Sequence, residues 1–471
     1  MIVDARDRSQ VDTAAAVRTL PQLIIIFITS ILTIQGFNLV FQDIGTQLNA
    51  VEYAPLITSI PGIVLGIVCV IYGSLGDFVS LRKMMMVGIV LIVIGSVLGL
   101  VASRSSIWVV IIARAIQTAG TQVSGSVYLV VTTKYVPGVK KVLYFGVFTA
   151  AYQFSTAIGV LAAGWLITMS WVWLFAIPLI SVLFIPTLWR GLPDVSGQAQ
   201  RIDVPGFLLA GVTVTALVMY FNSMNWLYLG AFAVLLALFI IYISKAKNPF
   251  VTPEFFQNRR YLMAVSLVLL FYFGNYAMTP LFNLAGGIFH GKTALEMGFV
   301  LLAGYVVATV MGVMSGAIVG KIGSGMGIVL AGGSAAIGAF LAAFTVDKGL
   351  WGIIVSAVFL FGGLGLAYAP VVNTVMGTVD VSESGRAVGM NDLAMNISPS
   401  IGIAILGSMM PAAARPDGMA EAQYLADSAH SLTLLFIIVG ATWLAGVLTF
   451  FAFRRQLFPV DGWGKVTSEE A

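Results

Sequence analysis

The stretch "GSLGDFVSLRKMMMVG", residues 73–88, joins two long apolar runs through a short loop. That loop carries one acid, Asp77, and two bases, Arg82 and Lys83. Only 9% of the 471 residues are charged and 59% are hydrophobic, whereas roughly a quarter of the residues in a soluble domain are charged. Three charges close together in such a chain are therefore expected to have a specific role, in topology or in function.

The composition excludes several classes of protein. The chain has too little charge to cover a water-facing surface, so the lipid bilayer is the expected solvent for most of it. A single cysteine, Cys69, and two histidines, His290 and His430, offer no cluster of ligands, so neither a metal nor a cofactor is expected. The net charge of +4 does not indicate nucleic acid, because most bases fall in loops between apolar segments.

A membrane-spanning helix needs roughly 20 mostly apolar residues, and the sequence predicts fourteen such segments. They are 20–41, 54–73, 84–102, 107–130, 142–168, 170–189, 204–222, 226–244, 261–283, 294–319, 326–345, 350–373, 386–410 and 430–453. The expected fold class is therefore an all-α integral membrane protein.

The distribution of Lys and Arg orients these segments. With the N-terminus in the cytoplasm, most of the 24 bases fall in cytoplasmic loops and tails, as the positive-inside rule requires. Arg114 lies within a segment, and the outer loops hold only Arg104, Lys292, Lys348 and Arg415. This pattern predicts an even number of spans, with both termini cytoplasmic.

Two polar stretches, 190–206 and 244–261, carry Pro and Gly and bracket the helix pair 204–244. The chain is therefore expected to divide into three parts. These are an N-terminal six-helix bundle (1–190), two inserted helices with flanking cytoplasmic loops (191–260), and a C-terminal six-helix bundle with a cytoplasmic tail (261–471). Six plus six helices are typical of transporters built from two related bundles around a site at the midplane.

Five motifs, in order along nearly the whole chain, resemble those of the fourteen-helix drug:proton antiporter branch of the major facilitator superfamily. The loop between helices 2 and 3, G-x-L-x-D-x-x-x-x-R-K, is matched by Gly73, Leu75, Asp77, Arg82 and Lys83. The helix 4 motif R-x-x-Q-x-x-G is matched by Arg114, Gln117 and Gly120. The other three are "RIDVPG" (201–206), "NPFVTPEFFQNRRY" (248–261) and the helix 13 pattern G-x-A-x-x-G at Gly402, Ala404 and Gly407.

The resemblance implies a major facilitator fold with two extra helices, in the plasma membrane of a bacterial cell. It also implies a proton-coupled exporter of hydrophobic or amphipathic compounds that works by alternating access, as in multidrug efflux and antibiotic resistance. Its partners would be a small-molecule substrate, protons and the lipid bilayer, and a monomer is expected. The chain is not expected to be an enzyme, and without a G-x-x-x-x-G-K-[ST] sequence ATP is not expected to drive it.

Three positions depart from the family pattern. Helix 1 carries no acid before Asp43, Val160 stands in the proline place of helix 5, and Gly320 replaces the acid in the second copy of the loop motif. These departures leave an alternative open, namely a major facilitator carrier for a lipid, metabolite or nutrient with different or no proton coupling.

The resemblance implies a gating role for Asp77, with Gly73 and Arg82 in the same loop motif. An acid at the inner end of helix 2 could hold the two bundles together through charge-assisted contacts that break when the bundles rock apart. The alternative is that Arg82 and Lys83 only obey the positive-inside rule, and this is the preferred interpretation for Lys83.

Arg114 is predicted to lie about seven residues from the outer end of its helix, roughly 10 Å deep at 1.5 Å per residue. An arginine at such a depth is costly unless it is paired or hydrated. It is expected to face the cavity near polar atoms of helix 1 such as Gln35 or Asn38. The resemblance implies a part in proton relay, and the alternative is a structural clamp on helix 1 carbonyls.

Two acids are further candidates for proton coupling. Asp392 is the only acid placed well inside the second half, where it could carry a proton or could be a hydrated acid near the inner end. Asp43, at the first outer loop, is expected to be solvated and could alternatively catch protons at the outer mouth.

Polar and aromatic side chains at mid-depth suit an amphipathic aromatic ligand, although membrane helices also use such residues for packing. The predicted substrate cavity consists of Gln35, Asn38, Gln117, Tyr152, Gln153, Tyr272, Asn275 and Tyr276. Gly159 and Gly164 are predicted to be helix-packing positions, because small residues allow membrane helices to approach closely.

Overall fold

The structure is a computed structural model, and all regular elements in the residues that it describes are helical. These residues are 13–75, 79–136, 138–194, 203–246, 249, 257–379, 384–459 and 461–464. The spans, labelled α1 to α14 in order, are Leu20–Gln47, Leu56–Leu75, Leu81–Ala102, Ile107–Tyr135, Gly138–Ile167, Trp171–Gly191, Val204–Ser223, Trp226–Lys245, Arg259–His290, Ala294–Ile322, Ser324–Thr345, Leu350–Met376, Ser384–Ser408 and Glu421–Leu457.

Every one of the fourteen predicted segments is helical, and the predicted fold class is confirmed. Eleven helices in the described ranges are long and apolar enough to cross a membrane, and a shorter apolar stretch, Phe154–Leu166, lies within α5. The largest difference in the bounds is in α14, which begins at Glu421 rather than near residue 430.

Two spans depart from a continuous α-helix. In α6, two 3-10 turns, Trp171–Phe175 and Ile177–Phe184, precede a short α-helix, Ile185–Gly191. Pro178 and Pro186 lie at the starts of the last two pieces, and a proline has no N–H to donate to the helical ladder. The sequence prediction of one regular helix was therefore too simple here.

The second departure is in α9, which is divided into Arg259–Tyr272 and Asn275–His290. At this break the carbonyl oxygen of Phe273 lies so close to Gly402 of α13 that a Cβ on Gly402 would collide with it. The glycine in the helix 13 pattern thus allows the backbones of α9 and α13 to approach each other at mid-membrane.

In the described part of the chain, three helix pairs make the main contacts between the two halves. α2 packs along α13, α5 packs along α10, and α1 packs against the second part of α9. Glycines make room on these surfaces: Gly62 of α2 faces Ser400 of α13, and Gly164 of α5 would place a Cβ 2.6 Å from the backbone of Leu295. Near the predicted outer end, Pro55 packs directly on Gly407, so the halves are in contact there.

The two helices predicted to be inserted, α7 and α8, lie beside the contact between α2 and α13. α7 packs against both of those helices, and α8 packs against α7. Gly211 of α7 faces the side chain of Ile67. The start of α7 is capped by Asp203, whose carboxylate accepts from the backbone N–H of Gly206 and from the hydroxyl of Tyr242 on α8. The pair therefore extends the bundle on one side.

Candidate substrate cavity

Four tyrosines from three helices lie near one another. Tyr152 comes from α5, Tyr272 and Tyr276 flank the break in α9, and Tyr368 comes from α12. Tyr152 is within electrostatic interaction range of each of the other three. Asp392 of α13 interacts with Tyr272 and Tyr368. Both halves of the chain therefore contribute to one polar and aromatic cluster.

From the exposure of two of its tyrosines we infer that this cluster borders an open space within the bundle. Tyr152 is 43% exposed and Tyr368 is 52% exposed, although both are close enough to Tyr272 to interact with it electrostatically. Asp392 is partly buried, and Cys69 of α2 interacts with both Asp392 and Tyr152. We call the space among these residues the tyrosine-lined cavity. It combines aromatic surface with hydroxyls and one carboxylate.

A small pocket lies toward the predicted outer side. It has room for about one water-sized molecule, about 10 Å³, and its polar lining comes from Asn38 of α1, Thr58 of α2, Arg114 and Thr118 of α4, and Tyr276. We call it the arginine pocket. Tyr276 borders both cavities, and its hydroxyl donates to the Oδ1 of Asn396 at 3.2 Å. Gly62 makes room for the Tyr276 ring, because a Cβ there would lie 2.7 Å from it.

Arg114 is 2% exposed and lies against α1. The sequence analysis expected it near Gln35 or Asn38 of that helix, whereas the contact that the structure shows is with the ring of Phe37. Its guanidinium carbon lies 4.3 Å from the centroid of the Phe37 ring. Its Nη1 donates to Oε1 of Gln117 on the same helix at 3.2 Å. Asn38 lines the same pocket and donates from Nδ2 to Oε1 of Gln35 at 3.1 Å.

The predicted cavity residues are distributed over several places. Tyr152, Tyr272 and Tyr276 lie together in the tyrosine-lined cavity. Gln117 lies behind Arg114, where its Nε2 donates to Ser96 at 2.9 Å and to the carbonyl of Phe175 at 3.3 Å.

Asn275 is partly buried at the first position after the α9 break. The side chain of Gln153 lies outside the described residues.

Sequence reasoning missed Tyr368, Cys69 and Asn396 as cavity residues. Tyr368 is a lone polar aromatic residue in the apolar run "GLGLAYAP", residues 363–370. A hydroxyl in the middle of such a run is the signal that could have identified it, because lipid-facing positions rarely need one.

The two acids predicted for proton coupling lie at different depths. Asp392 is in the tyrosine-lined cavity, about two turns from the start of α13. Asp43 is partly buried in the last turns of α1, toward the predicted outer end. Their roles in proton transfer stay predictions. In the part of the chain that the structure describes, no group of three His, Cys, Asp or Glu could hold a metal ion.

At the inner end, Arg82 binds the chain that leaves α6. Its Nε donates to the carbonyl of Leu192 at 3.1 Å and its Nη1 lies 3.4 Å from Oδ2 of Asp194. Ser80, the N-cap of α3, donates to Oδ1 of Asp194 at 2.6 Å. These contacts lie within the first half rather than across the two bundles. Gly73 is in the last turns of α2, and Asp77 lies outside the described residues.

The two predicted packing glycines lie at close helix contacts. A Cβ on Gly159 would lie 3.0 Å from the backbone of Leu32 on α1. Gly164, which faces Leu295 of α10, lies at the contact between the two halves.

A family profile described as Major Facilitator Superfamily matches residues 23–403. The chain belongs to this superfamily. The predicted family is thereby confirmed, and a multi-span protein of this kind fits the predicted plasma-membrane location. Membership indicates a transporter rather than an enzyme.

Curated relatives within the superfamily have drug-related names. The chain is similar to the multidrug transporter protein MdtP of Bacillus subtilis, with 28% identity over 64% of this chain and 59% of that protein. It is also similar to the multidrug resistance protein Stp of Mycobacterium tuberculosis, with 25% identity over 65% of this chain and 60% of that protein. The match therefore spans less than two thirds of the length of these relatives.

Solved structures support the fold over almost the whole chain. A proton-dependent oligopeptide transporter superposes with a TM-score of 0.66 at 15% identity, covering 94% of this chain and 99% of that one. A D-xylose–proton symporter superposes with a TM-score of 0.60 at 15% identity, covering 92% and 96%. At this identity the likeness shows the fold alone.

Proposed function

We propose that this protein is a secondary active exporter that moves hydrophobic or amphipathic compounds outward in exchange for protons. The observation that carries the proposal is the tyrosine-lined cavity, which both halves build and which is exposed at Tyr152 and Tyr368. Aromatic rings with hydroxyls give a ligand a large apolar contact surface and a few polar anchors. The names of the relatives MdtP and Stp support drug efflux as the task.

The contacts between the halves support alternating access. Pro55 packs on Gly407, and Gly164 packs on the backbone of Leu295, both near the predicted outer end. Rocking of the bundles would separate these contacts and expose the cavity on the other side. We propose Asp77, with Gly73 and Arg82 beside it, as the gate at the inner end, and a monomer as the working unit.

Asp392 is the proposed proton carrier. It shares the cavity with Tyr272 and Tyr368, so a bound compound and a proton would affect the same group. An acid inside a membrane bundle is costly in its charged form, and a compound that displaces water from it would favour exchange of the proton. Asp43 and Arg114 are proposed as further members of the coupling path.

The second candidate function is a carrier for a lipid, metabolite or nutrient with different or no proton coupling. The absence of an acid before Asp43 in α1 supports this second candidate. Solved structures of similar fold include an oligopeptide transporter and a sugar–proton symporter. The two candidates differ in whether the solute moves against the protons, together with them or independently of them.

The test is transport by the full chain in proteoliposomes, with ethidium as the cationic probe and an imposed pH gradient. We expect ethidium to move against the proton flow and to stop when a protonophore collapses the gradient. Asp392→Asn should abolish this gradient-driven movement. The exposed Asp427→Asn on α14 is the matched control and should behave as the wild type.

Two other outcomes of this experiment would contradict the proposal in different ways. Ethidium movement that ignores the gradient would remove proton exchange from the proposal. Movement of ethidium or of a nutrient-like solute together with protons would favour the carrier.

A further inference from the structure

The size of the arginine pocket limits what it can bind. It has room for about one water-sized molecule, about 10 Å³. A cavity of roughly 10–15 Å³ is the smallest that holds a water molecule, and the water needs two to four polar partners to stay in place. The pocket is therefore too small for a substrate or an organic ion, and the polar atoms around it decide whether it binds water.

Four side chains that line the pocket each carry a buried polar atom without a hydrogen-bond partner among the described residues. They are Oδ1 of Asn38, Oγ1 of Thr58, Nε of Arg114 and Oγ1 of Thr118. Buried polar groups in proteins are nearly always paired, with protein or with ordered water. The arginine Nε–H donates, the amide oxygen accepts and each hydroxyl does either. This set matches the two donor and two acceptor positions of a single water molecule.

Unpaired polar atoms alone do not mark a water site. The buried Oγ of Ser356 on α12 and Nε1 of Trp443 on α14 also have no partner among the described residues, but neither side chain lines the arginine pocket. The pocket differs because its unpaired atoms come from three helices, α1, α2 and α4, and their side chains border one space of the size of a water molecule.

The burial of Arg114 gives the water a role. The guanidinium keeps its charge in proteins, and no carboxylate in the described ranges lies within ion-pair distance of it. Its neighbours are the neutral amide of Gln117 and the ring of Phe37. A charge at this depth is costly unless it is paired or hydrated. A water molecule on Nε would hydrate the charge and link it to α1 and α2.

We propose that the arginine pocket binds one water molecule, held by the four unpaired atoms, and that this water fixes the position of the Arg114 guanidinium. Asn38, Thr58 and Thr118 are then positioning residues, because they act on Arg114 through the water. The positioning role concerns the proposed coupling path and so rests on the proposed function. Binding of the water does not, because it can be measured without transport.

The first test compares two variants that each remove one buried hydroxyl. Thr118→Val should lower the thermal unfolding midpoint of the full chain in detergent by on the order of 1 °C or more, because the hydroxyl loses its water. The matched control is Ser356→Ala. It should leave the midpoint unchanged or raise it, because this hydroxyl has no hydrogen bond to lose among the described residues. A midpoint of Thr118→Val that is no lower than that of the control would overturn the water assignment.

The second test asks whether two helices share the same water. Thr58 on α2 and Thr118 on α4 make no hydrogen bond to each other, since both hydroxyls are unpaired. Thr58→Val and Thr118→Val together should lower the midpoint by less than the sum of the single variants, because either one releases the water. Thr118→Val with Ser356→Ala should be additive. Additive shifts in both pairs would overturn a shared water.

A density map of the full chain that shows ordered water provides the direct check. We expect one peak within hydrogen-bond distance of both Nε of Arg114 and Oγ1 of Thr118. A pocket without density in such a map would overturn the assignment whatever the unfolding midpoints show.

Transport separates the positioning role from binding. In proteoliposomes, Thr118→Val should shift the pH profile of gradient-driven ethidium movement, whereas Thr118→Ser, which keeps the hydroxyl, and Ser356→Ala should retain the wild-type profile. An unchanged profile in Thr118→Val would overturn the positioning role. If the wild type shows no gradient-driven movement at all, the exporter proposal fails, and the unfolding midpoints still decide whether the water is bound.

Discussion

The start of the third helix is bound by different contacts in the two halves of the molecule. In the first half, the start of α3 is bound to residues 192–194, directly after the sixth helix, through Ser80 and Arg82. In the second half, the start of α11 is bound to the chain after α14: the N–H of Gly325 donates to the carbonyl of Trp463 at 2.8 Å. In both halves, therefore, the chain leaving the sixth helix holds the start of the third.

The chemistry of the two attachments differs. The first combines one backbone hydrogen bond, from the N–H of Arg82 to the carbonyl of Pro193 at 3.3 Å, with a partly exposed ion pair between Arg82 and Asp194, and Arg82 also lies over the ring of Trp189. The second uses backbone hydrogen bonds and close packing, with the Arg454 guanidinium 5.2 Å from the centroid of Trp463. Exposed ion pairs are weak and are screened by salt. The attachment in the first half, beside the family loop motif, is thus the one that is easier to release.

The largest effect is expected from a substitution that disrupts the attachment in the second half. In Gly325→Ala, the new methyl group would lie 2.7 Å from the Phe450 ring and 3.0 Å from the Trp463 carbonyl oxygen. Overpacking of this kind costs about 1–3 kcal/mol, measured as a lower free energy of unfolding in detergent. The matched control, Gly320→Ala, has nothing within 4 Å of its new methyl group and should be neutral or slightly stabilising. Equal effects of the two substitutions would show that the Trp463 segment does not hold α11.

A smaller effect is expected in the first half. Arg82→Gln should lower the free energy of unfolding by about 1 kcal/mol, because the buried Leu192 carbonyl loses its donor. Asp194→Asn should cost less, and its effect should shrink in 1 M salt. The neighbouring exposed Arg190→Gln serves as the control. A salt-independent effect of Asp194→Asn would mean that the ion pair contributes nothing to this attachment.

How far the sequence predicts the structure depends on what hydropathy can report. Apolar runs identify which residues face lipid or a protein interior, and so all fourteen helices were predictable. The break in α9 was not, because it depends on the approach of Phe273 to Gly402, 129 positions away in the chain. The break in α9 and the tyrosine-lined cavity are related, because Tyr272 and Tyr276 flank the break and both line the cavity.

The prediction of site residues from the sequence has the same limit as the prediction of the fold. The structure brings Tyr152, Tyr272 and Tyr276, which the sequence predicts as cavity residues, near one another; their contact with a substrate stays a prediction. Gln117 has the same polarity and depth, but it turns toward α3 and α6 and supports Arg114. Polarity predicts that a side chain needs a partner, whereas the direction in which it points is set by the neighbouring helices.

The smallest expected effect tests the first attachment through pH. The pKa of Asp194 is lowered from its ordinary value of 3.8, first by the hydrogen bond from Ser80 and then by the charges of Arg82 and Lys83. A carboxylate with a lowered pKa stabilises the folded state above its unfolded pKa, and this contribution is lost as the pH falls through the lowered value. The difference in unfolding midpoint between wild type and Asp194→Asn should therefore be constant from neutral pH down to about pH 5. It should begin to fall near 3.8 and disappear once the pH is below the lowered pKa of the folded state. In Ser80→Ala the loss should be complete at a higher pH, because the largest cause of the lowered folded-state pKa is removed. A difference that persists unchanged into strong acid would show that Asp194 acts through its shape and not through its charge, and the contrast between a charged and a backbone attachment would then fail.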